Sequence, residues 1–264
     1  MVSPMKRLGK SIARRAIYAG SHTLKAVFGN AVTPDGYLIR VGNNTHASDY
    51  IDIWRGRYEA AETQILRNNF KSDHTIIEIG SNIGLVARIA IEEKLDRHGC
   101  YIAVEPNPRA HHALETNLLR SRKRDITKKF EIVAAAVAAP ADEGKQASFT
   151  MRPNMSSGLD THTHEKLSPG DKTRVRVTSL SEILKHYAPN GASLIMDAEG
   201  AEYKTILQDA DAFKKIHQMS IEFHDKTVTG LDYTPNDGLV ALQKMGFNVG
   251  ARVGNTYYLS RSPA

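Results

Sequence analysis

Seven residues give the first chemical signal. Glu78-Ile79-Gly80-Ser81-Asn82-Ile83-Gly84 joins the apolar run Thr75 to Ile79 to a second stretch that starts at Leu85. Gly80 permits a sharp turn or the close approach of a ligand to backbone, and Gly84 permits tight helix–strand packing. Asn82 stands where a dinucleotide fingerprint has its middle glycine, which counts against a pyrophosphate pressed onto the turn. A cationic nucleoside suits the segment better, since Glu78 would repel a pyrophosphate and attract an ammonium or sulfonium group. Glu105 closes the next apolar run, 25 residues beyond Gly80, where a carboxylate accepts hydrogen bonds from ribose hydroxyls. Pro106-Asn107-Pro108 then turns the chain away.

Two acidic clusters follow. In Leu194-Ile195-Met196-Asp197-Ala198-Glu199-Gly200-Ala201-Glu202, Asp197 and Glu199 should stand at a strand end. Glu202 falls in the first turn of the next helix, where the dipole favours an acid, and reads as a helix-start residue. In Ile221-Glu222-Phe223-His224-Asp225, alternation puts Glu222 and His224 on one face and Phe223 on the other. An ordinary histidine pKa of about 6.5 suits His224 to accepting a hydroxyl proton. His162 and His164 are candidates for substrate contact, and His111-His112 reads as helix surface. Asp197, Glu222, His224 and Asp225 could hold a divalent metal, although nothing in their spacing demands one.

The elements that position these residues alternate. Strands are expected at Tyr37 to Val41, Thr75 to Ile79, Cys100 to Val104, Phe130 to Val133, Ser193 to Met196 and His217 to Phe223. Helices are expected at Arg57 to Phe70, Leu85 to Lys94 and Pro108 to Arg120, and from about Ala201. Strand–helix alternation implies a parallel sheet with helices on both faces. Gly246 to Gly250 and Thr256 to Leu259, parted by Gly254-Asn255, read as a closing hairpin that adds an antiparallel edge. Residues 151–173 form a long polar insertion.

Composition bounds the rest. With 264 residues, 41% of them hydrophobic and one cysteine, the chain can bury a core without disulfides. Its net charge of +6 resides in one segment: residues 1–34 carry six bases and no acid, leaving 29 bases against 29 acids. A basic face for nucleic acid is therefore not expected. Leu8, Ile12, Ala16 and Ala19 share one side of a basic amphipathic helix. Residues 1–30 would give peripheral contact with anionic lipid or polymer, or a solvated tail. We expect a basic N-terminal helical extension over 1–56 and one domain over 57–264. No apolar run approaches the ~20 residues that span a bilayer, and a cytoplasmic location is expected.

Together the motifs resemble those of FkbM-type methyltransferases, over residues 57–260. The matching segments are Ile77-Glu-Ile-Gly-Ser-Asn-Ile-Gly84, Val104-Glu-Pro-Asn-Pro108, Val177-Thr-Ser-Leu-Ser181, Ile195-Met-Asp-Ala-Glu-Gly-Ala-Glu202 and Ile221-Glu-Phe-His224, with Asn154 to Leu159 as a loop feature. Glu78 replaces the family's usual Asp, and Met196 stands where a Lys-Ile-Asp order would give Ile. The usual lysine before the Asp motif is absent. The resemblance implies a Rossmann-like class I α/β fold with a seven-stranded, mostly parallel sheet. It also implies S-adenosylmethionine as cofactor and methyl transfer to a hydroxyl of a sugar, polysaccharide, lipid-linked glycan precursor or small secondary metabolite. In that reading Glu78, Gly80, Ser81, Asn82 and Gly84 cup the methionine part. Glu105, Pro106 and Asn107 hold the ribose, and Ala135 and Ala136 line the adenine. Asp197 and His224, with Glu199 and Glu222, position or deprotonate the acceptor. A non-catalytic nucleoside-binding protein is the competing reading. A nucleic-acid methyltransferase is disfavoured, because no Asn/Asp-Pro-Pro-Tyr-like element for a flipped base is present.

Overall fold

The computed structural model describes residues 29–41, 47–151, 158–159, 171–224 and 232–261. The expected N-terminal helix, His162, His164 and Asp225 lie outside these residues, as does most of the Asn154 to Leu159 run. The strands of the main sheet are β3 (Asp73–Ile79), β4 (Leu95–Val104), β5 (Lys129–Val133), β10 (Ala192–Met196), β11 (Ile216–Glu222), β12 (Phe247–Val253) and β13 (Thr256–Arg261). They lie in the order β12-β13-β11-β10-β3-β4-β5. β11, β10, β3, β4 and β5 are mutually parallel, and the β12–β13 hairpin closes one edge antiparallel. The seven-stranded sheet and its closing hairpin are those expected.

Period-2 alternation sends the sheet's side chains into two cores. On one face Ile76, Tyr101 and Ile195 pack with helices α2 (Ala60–Asn69), α3 (Leu85–Glu93) and α4 (His111–Arg122). On the other, Ile77, Ile102 and Leu194 pack with α5 (Leu180–Tyr187), α6 (Glu202–Gln208) and α7 (Pro235–Lys244). Helix starts are chemically marked. The Ser179 hydroxyl accepts from the Glu182 N–H before α5, and Thr234 with Asp237 forms a capping box before α7.

After β3 the chain runs outward to β4 and β5, then returns to β10 on the other side of β3. The strand order reverses between β3 and β10, which is where an open α/β sheet forms its ligand crevice. Gly80 and Asp197 meet there. The Asp197 N–H donates to the Ile79 carbonyl at 2.9 Å, and a Cβ on Gly80 would lie 1.7 Å from the Asp197 carbonyl oxygen. Gly80 therefore has to be glycine for its neighbouring loop, apart from any need of a ligand. Gly84 (φ 80°) also differs from expectation: its missing Cβ makes room for Leu114 of α4, so it serves helix–helix packing.

A second sheet was not foreseen. β6 (Ala135–Val137), β7 (Gln146–Met151), β8 (Gly158–Leu159) and β9 (Asp171–Thr178) lie in the order β6-β9-β7-β8. The last residues of the expected insertion, from Asp171, belong to β9. β1 (Asn30–Val32), β2 (Leu38–Arg40) and α1 (Ala47–Trp54) precede the expected domain start. Ala31, Ile39, Tyr50 and Ile53 nevertheless share one hydrophobic core with Ile65 and Leu66 of α2. Among the described residues no helix is long and apolar enough to cross a membrane.

Candidate active site

A cleft enclosing about 600 Å³ opens over the C-terminal ends of β3, β4 and β10. Its wall includes Gly80, Asn82, Glu105, Pro106 and Asn107. Opposite stand Ala135, Ala136, Val137 and Phe149 of the second sheet, with Asp197, Glu199 and Ala201 at the β10 end. Glu105 is the joint of this cleft. One carboxylate oxygen accepts the Asn82 N–H and the other the Asn107 N–H, each at 2.7 Å. Each oxygen keeps a lone pair for a further donor. Asn82 takes a left-handed conformation at φ 47°, uncommon for a non-glycine residue, and its side-chain amide donates to the Tyr58 hydroxyl at 3.2 Å. Glu199 is held the same way at φ 49°. Such conformations concentrate at functional sites.

Beside the cleft, at the C-terminal ends of β10 and β11, lies a cluster of acids around His224. Glu202 is fully buried and saturated with donors: Oε1 accepts from Ala198 N at 2.9 Å and faces His224 Nδ1 at 3.1 Å, while Oε2 accepts from Gly200 N at 2.9 Å. Nδ1 is therefore the protonated nitrogen in either charge state of the ring. His224 Nε2 lies 3.6 Å from Asp197 Oδ1 and 3.6 Å from Glu199 Oε2, beyond hydrogen-bond length. Tyr203 donates its hydroxyl to the His224 carbonyl at 3.0 Å, so two consecutive residues of α6 fix this histidine. Glu222 completes the cluster from β11, opposite Thr256, whose hydroxyl donates to buried Glu62 of α2 at 2.7 Å.

Charge dominates this region. Burial pushes Glu105 up to about 7 against the two backbone bonds it accepts. Burial likewise lifts Glu78 to about 7, and burial together with the Glu62 charge lifts Glu222 to about 7. Asp197 is raised well above the carboxylate range by burial and the Glu199 charge. His224 goes the other way: burial pushes it down, but the hydrogen bond and charge of Glu202, then Asp197 and Glu199, raise it to about 11. The resting ring is an imidazolium. Asp197 Oδ1 and Glu78 Oε2 are buried with no hydrogen-bond partner among the described residues.

Gly80, Asn82, Glu105, Pro106, Asn107, Ala135 and Ala136, which the resemblance placed around a cofactor, line the cleft, and so do Asp197 and Glu199. Glu78, Ser81 and Gly84 stand behind it. Glu78 is buried on the α2 side, and the Ser81 hydroxyl donates back to the Glu78 carbonyl at 3.3 Å. The spacing brings His224 and Glu222 to Asp197. Glu202, read as a helix-start residue, is instead the buried anchor of His224. His111, expected on a helix surface, meets the Glu105 carbonyl through Nε2 at 2.7 Å. Tyr58, Glu62, Val137 and Phe149 were missed, since only the fold brings them here. Of the suggested metal set, Asp197 and His224 lie with Glu202 within 4.8 Å of one another. A cation there would have to displace hydrogen bonds that Glu202 already accepts.

A family model, the methyltransferase FkbM domain, matches residues 78–249, more than half of the 264-residue chain. No curated protein matches. Among solved structures, the chain is similar to precorrin-6y C5,15-methyltransferase from Geobacter metallireducens (14% identity, 78% of this chain and 87% of that one, TM-score 0.41). It is similar also to methyltransferase FkbM from Methylobacillus flagellatus (15% identity, 73% of this chain, TM-score 0.46), of whose length it spans 44%. A third is Streptococcus pneumoniae Sp1610 in complex with S-adenosyl-L-methionine (7% identity, 75% of this chain and 70% of that one, TM-score 0.39). The motif order read from the sequence and the match over residues 78–249 agree: the chain belongs to the FkbM methyltransferase family.

Proposed function

We propose that this protein is an S-adenosylmethionine-dependent O-methyltransferase acting on a hydroxyl of a sugar, polysaccharide or lipid-linked glycan precursor. The observation that carries this reading is the sign of the cleft. Glu105, Asp197 and Glu199 line it, and among the described residues no lysine, arginine or histidine does. Such a wall repels phosphates and suits a cationic ligand. The unpartnered oxygen of Asp197 adds to the fit.

When bound, the cofactor supplies a methyl group already activated by positive sulfur. Glu105 would accept the ribose hydroxyls on its remaining lone pairs, while Ala135, Ala136 and Phe149 give an apolar wall for a base. The chain's remaining task is to aim an acceptor oxygen and take its proton. Orientation carries much of such a rate, but an alcohol still needs a base near neutral pH. His224 serves once its Nε2 proton has gone. A second positive charge beside the cluster lowers the ring's proton affinity, and Nε2 is the free position because Glu202 retains Nδ1–H. The acceptor's O–H proton would then pass to His224 Nε2, while the bound cofactor would supply the methyl group to the oxygen so exposed.

Calorimetric titration of S-adenosylmethionine and NAD into the protein and its Glu105→Ala variant tests the cofactor. S-adenosylmethionine alone should bind, with affinity falling at least about tenfold in the variant, or ~1.4 kcal/mol. Methyl-labelled cofactor with glycan acceptors should then yield methyl ethers. Binding without any transfer would favour the non-catalytic nucleoside-binding reading.

A further inference from the structure

A second cleft, enclosing about 910 Å³, adjoins the first and shares Val137, Ala198, Glu199 and Ala201 with it. It is bounded by the turn after β6, the start of β7 and the first turn of α6. Its floor is made of small residues, among them Ala138, Ala139, Ala147 and Gly200. The two clefts differ in charge. The first has carboxylates and no cation among its described lining residues, whereas the second has Lys145 and Lys204 beside Asp142 and Glu199. Lys145 is paired with Asp142 at 2.8 Å. Lys204 has neither an ion pair nor a hydrogen bond with any described residue, and it is exposed. It stands in the first turn of α6, where the peptide dipoles disfavour a cation. Nothing in its own helix accounts for it.

We propose that the second cleft is the acceptor subsite, and that it takes a hydroxyl compound bearing a phosphate or carboxylate, held by Lys204. The inference rests on the methyl-transfer reading and adds the acceptor's chemical class. Glu199 belongs to both walls, so a hydroxyl reaching that boundary meets Glu199, whose Oε2 lies 3.6 Å from His224 Nε2, with Asp197 on the first cleft's side. The anionic group stays at the far end. Were it to enter the first cleft, it would face the carboxyl groups of Glu105, Asp197 and Glu199 with no cation beside them, whereas in the second Lys204 is available to it. The small-residue floor leaves room for a ring to lie flat between the two ends.

The test uses the full chain saturated with S-adenosylhomocysteine, titrated with glucose 6-phosphate, glucuronate or glucose and followed by backbone NMR. Both anionic sugars should bind more tightly than glucose by about tenfold at low salt, an advantage that shrinks as salt rises. Perturbations should centre on residues 138–147 and 198–204. Lys204→Ala should abolish the preference while leaving glucose and S-adenosylhomocysteine affinities unchanged, and Lys204→Arg should retain it. The phosphate and carboxylate arms show which anion the site favours. Equal affinity for all three sugars overturns the proposal, as does a preference that survives Lys204→Ala. Perturbations confined to another surface, or no binding of either anionic sugar at millimolar concentration, overturn it too. Failure of the methyl-transfer reading looks different: the anion preference and its Lys204 dependence would be intact, with no methylated sugar formed.

Discussion

Glu202 has no contact with solvent, yet it accepts two backbone N–H groups and the imidazole of His224. It acts through another residue by setting the ring's tautomer and its affinity for a proton. Glu202→Gln should bring the His224 pKa down from about 11 toward the ordinary histidine value, read by NMR titration of the ring. In the proposed reaction kcat should fall on the order of a hundredfold, with cofactor affinity little changed. A merely structural role would leave the titration where it is. Sequence reasoning singled out Asp197 because a carboxylate closing an apolar strand needs a partner or solvent, and the fold does bring His224 to within 3.6 Å of it. The same reasoning lost Glu202 because the helix dipole gives any acid in a first turn a sufficient reason to be there. Glu78 shows the opposite error: a charge beside the glycine turn looked accessible, but strand alternation turns it to the α2 face, behind the cleft.

Between elements, the contact that organises the crevice is Gly80 against the Asp197 carbonyl. Gly80→Ala would add a Cβ 1.7 Å from that oxygen at φ 90°, where only glycine is at ease. We expect a loss of more than about 3 kcal/mol, seen as a large fall in Tm and weaker protection of β3 and β10 in hydrogen exchange. The strands of the main sheet were readable because Ile- and Val-rich runs such as Thr75 to Ile79 end in glycine or carboxylate turns. The second sheet was not. β6 and β8 have three and two residues, too short for a period to register. β9 opens with Asp171, Lys172 and Thr173, which read as the end of a polar insertion, and Arg174 and Arg176 then interrupt its apolar pattern. Its alternation of exposed Arg174 and Arg176 with buried Val175 and Val177 was the available signal.

Across the whole molecule the acids act as one pH-dependent store of protons. Glu78, Glu105 and Glu222 titrate near 7 in the fold and near 4.5 when unfolded, so their stabilising contribution is complete below about 4.5 and disappears as pH rises through 7. The imidazolium of His224 has the same sign over a higher window: its contribution is full below about 6.5 and disappears as pH rises through about 11. The ligand-free protein should therefore melt at a progressively lower temperature between pH 5 and 8. Adding S-adenosylmethionine should restore most of the loss at pH 8. Calorimetry near pH 7 in buffers of different ionisation enthalpy should show protons released on binding S-adenosylmethionine, and fewer on binding S-adenosylhomocysteine. Equal release would remove the sulfonium charge from the account. The N-terminal elements join the same body. Arg67, Arg88 and Arg124 surround the Tyr37 ring at 5.4–5.9 Å while half-buried Glu92 bonds Arg88 and Arg124. The segment around Tyr37 is thus fastened to the face that carries α2 and α3.

The absence of cationic side chains from the described wall of the first cleft bears on how turnover ends. Across the proposed transfer no net charge is created or lost: the positive charge on sulfur becomes a proton on the Asp197–His224 cluster. The imidazolium of the resting enzyme is therefore also its state just after reaction. A neutral thioether beside an already compensated cluster has lost its electrostatic hold, so the step that makes the product also loosens its grip. Inhibition by accumulated S-adenosylhomocysteine should accordingly be mild, and mildest on the acid side of neutrality, where the cluster keeps its proton most firmly.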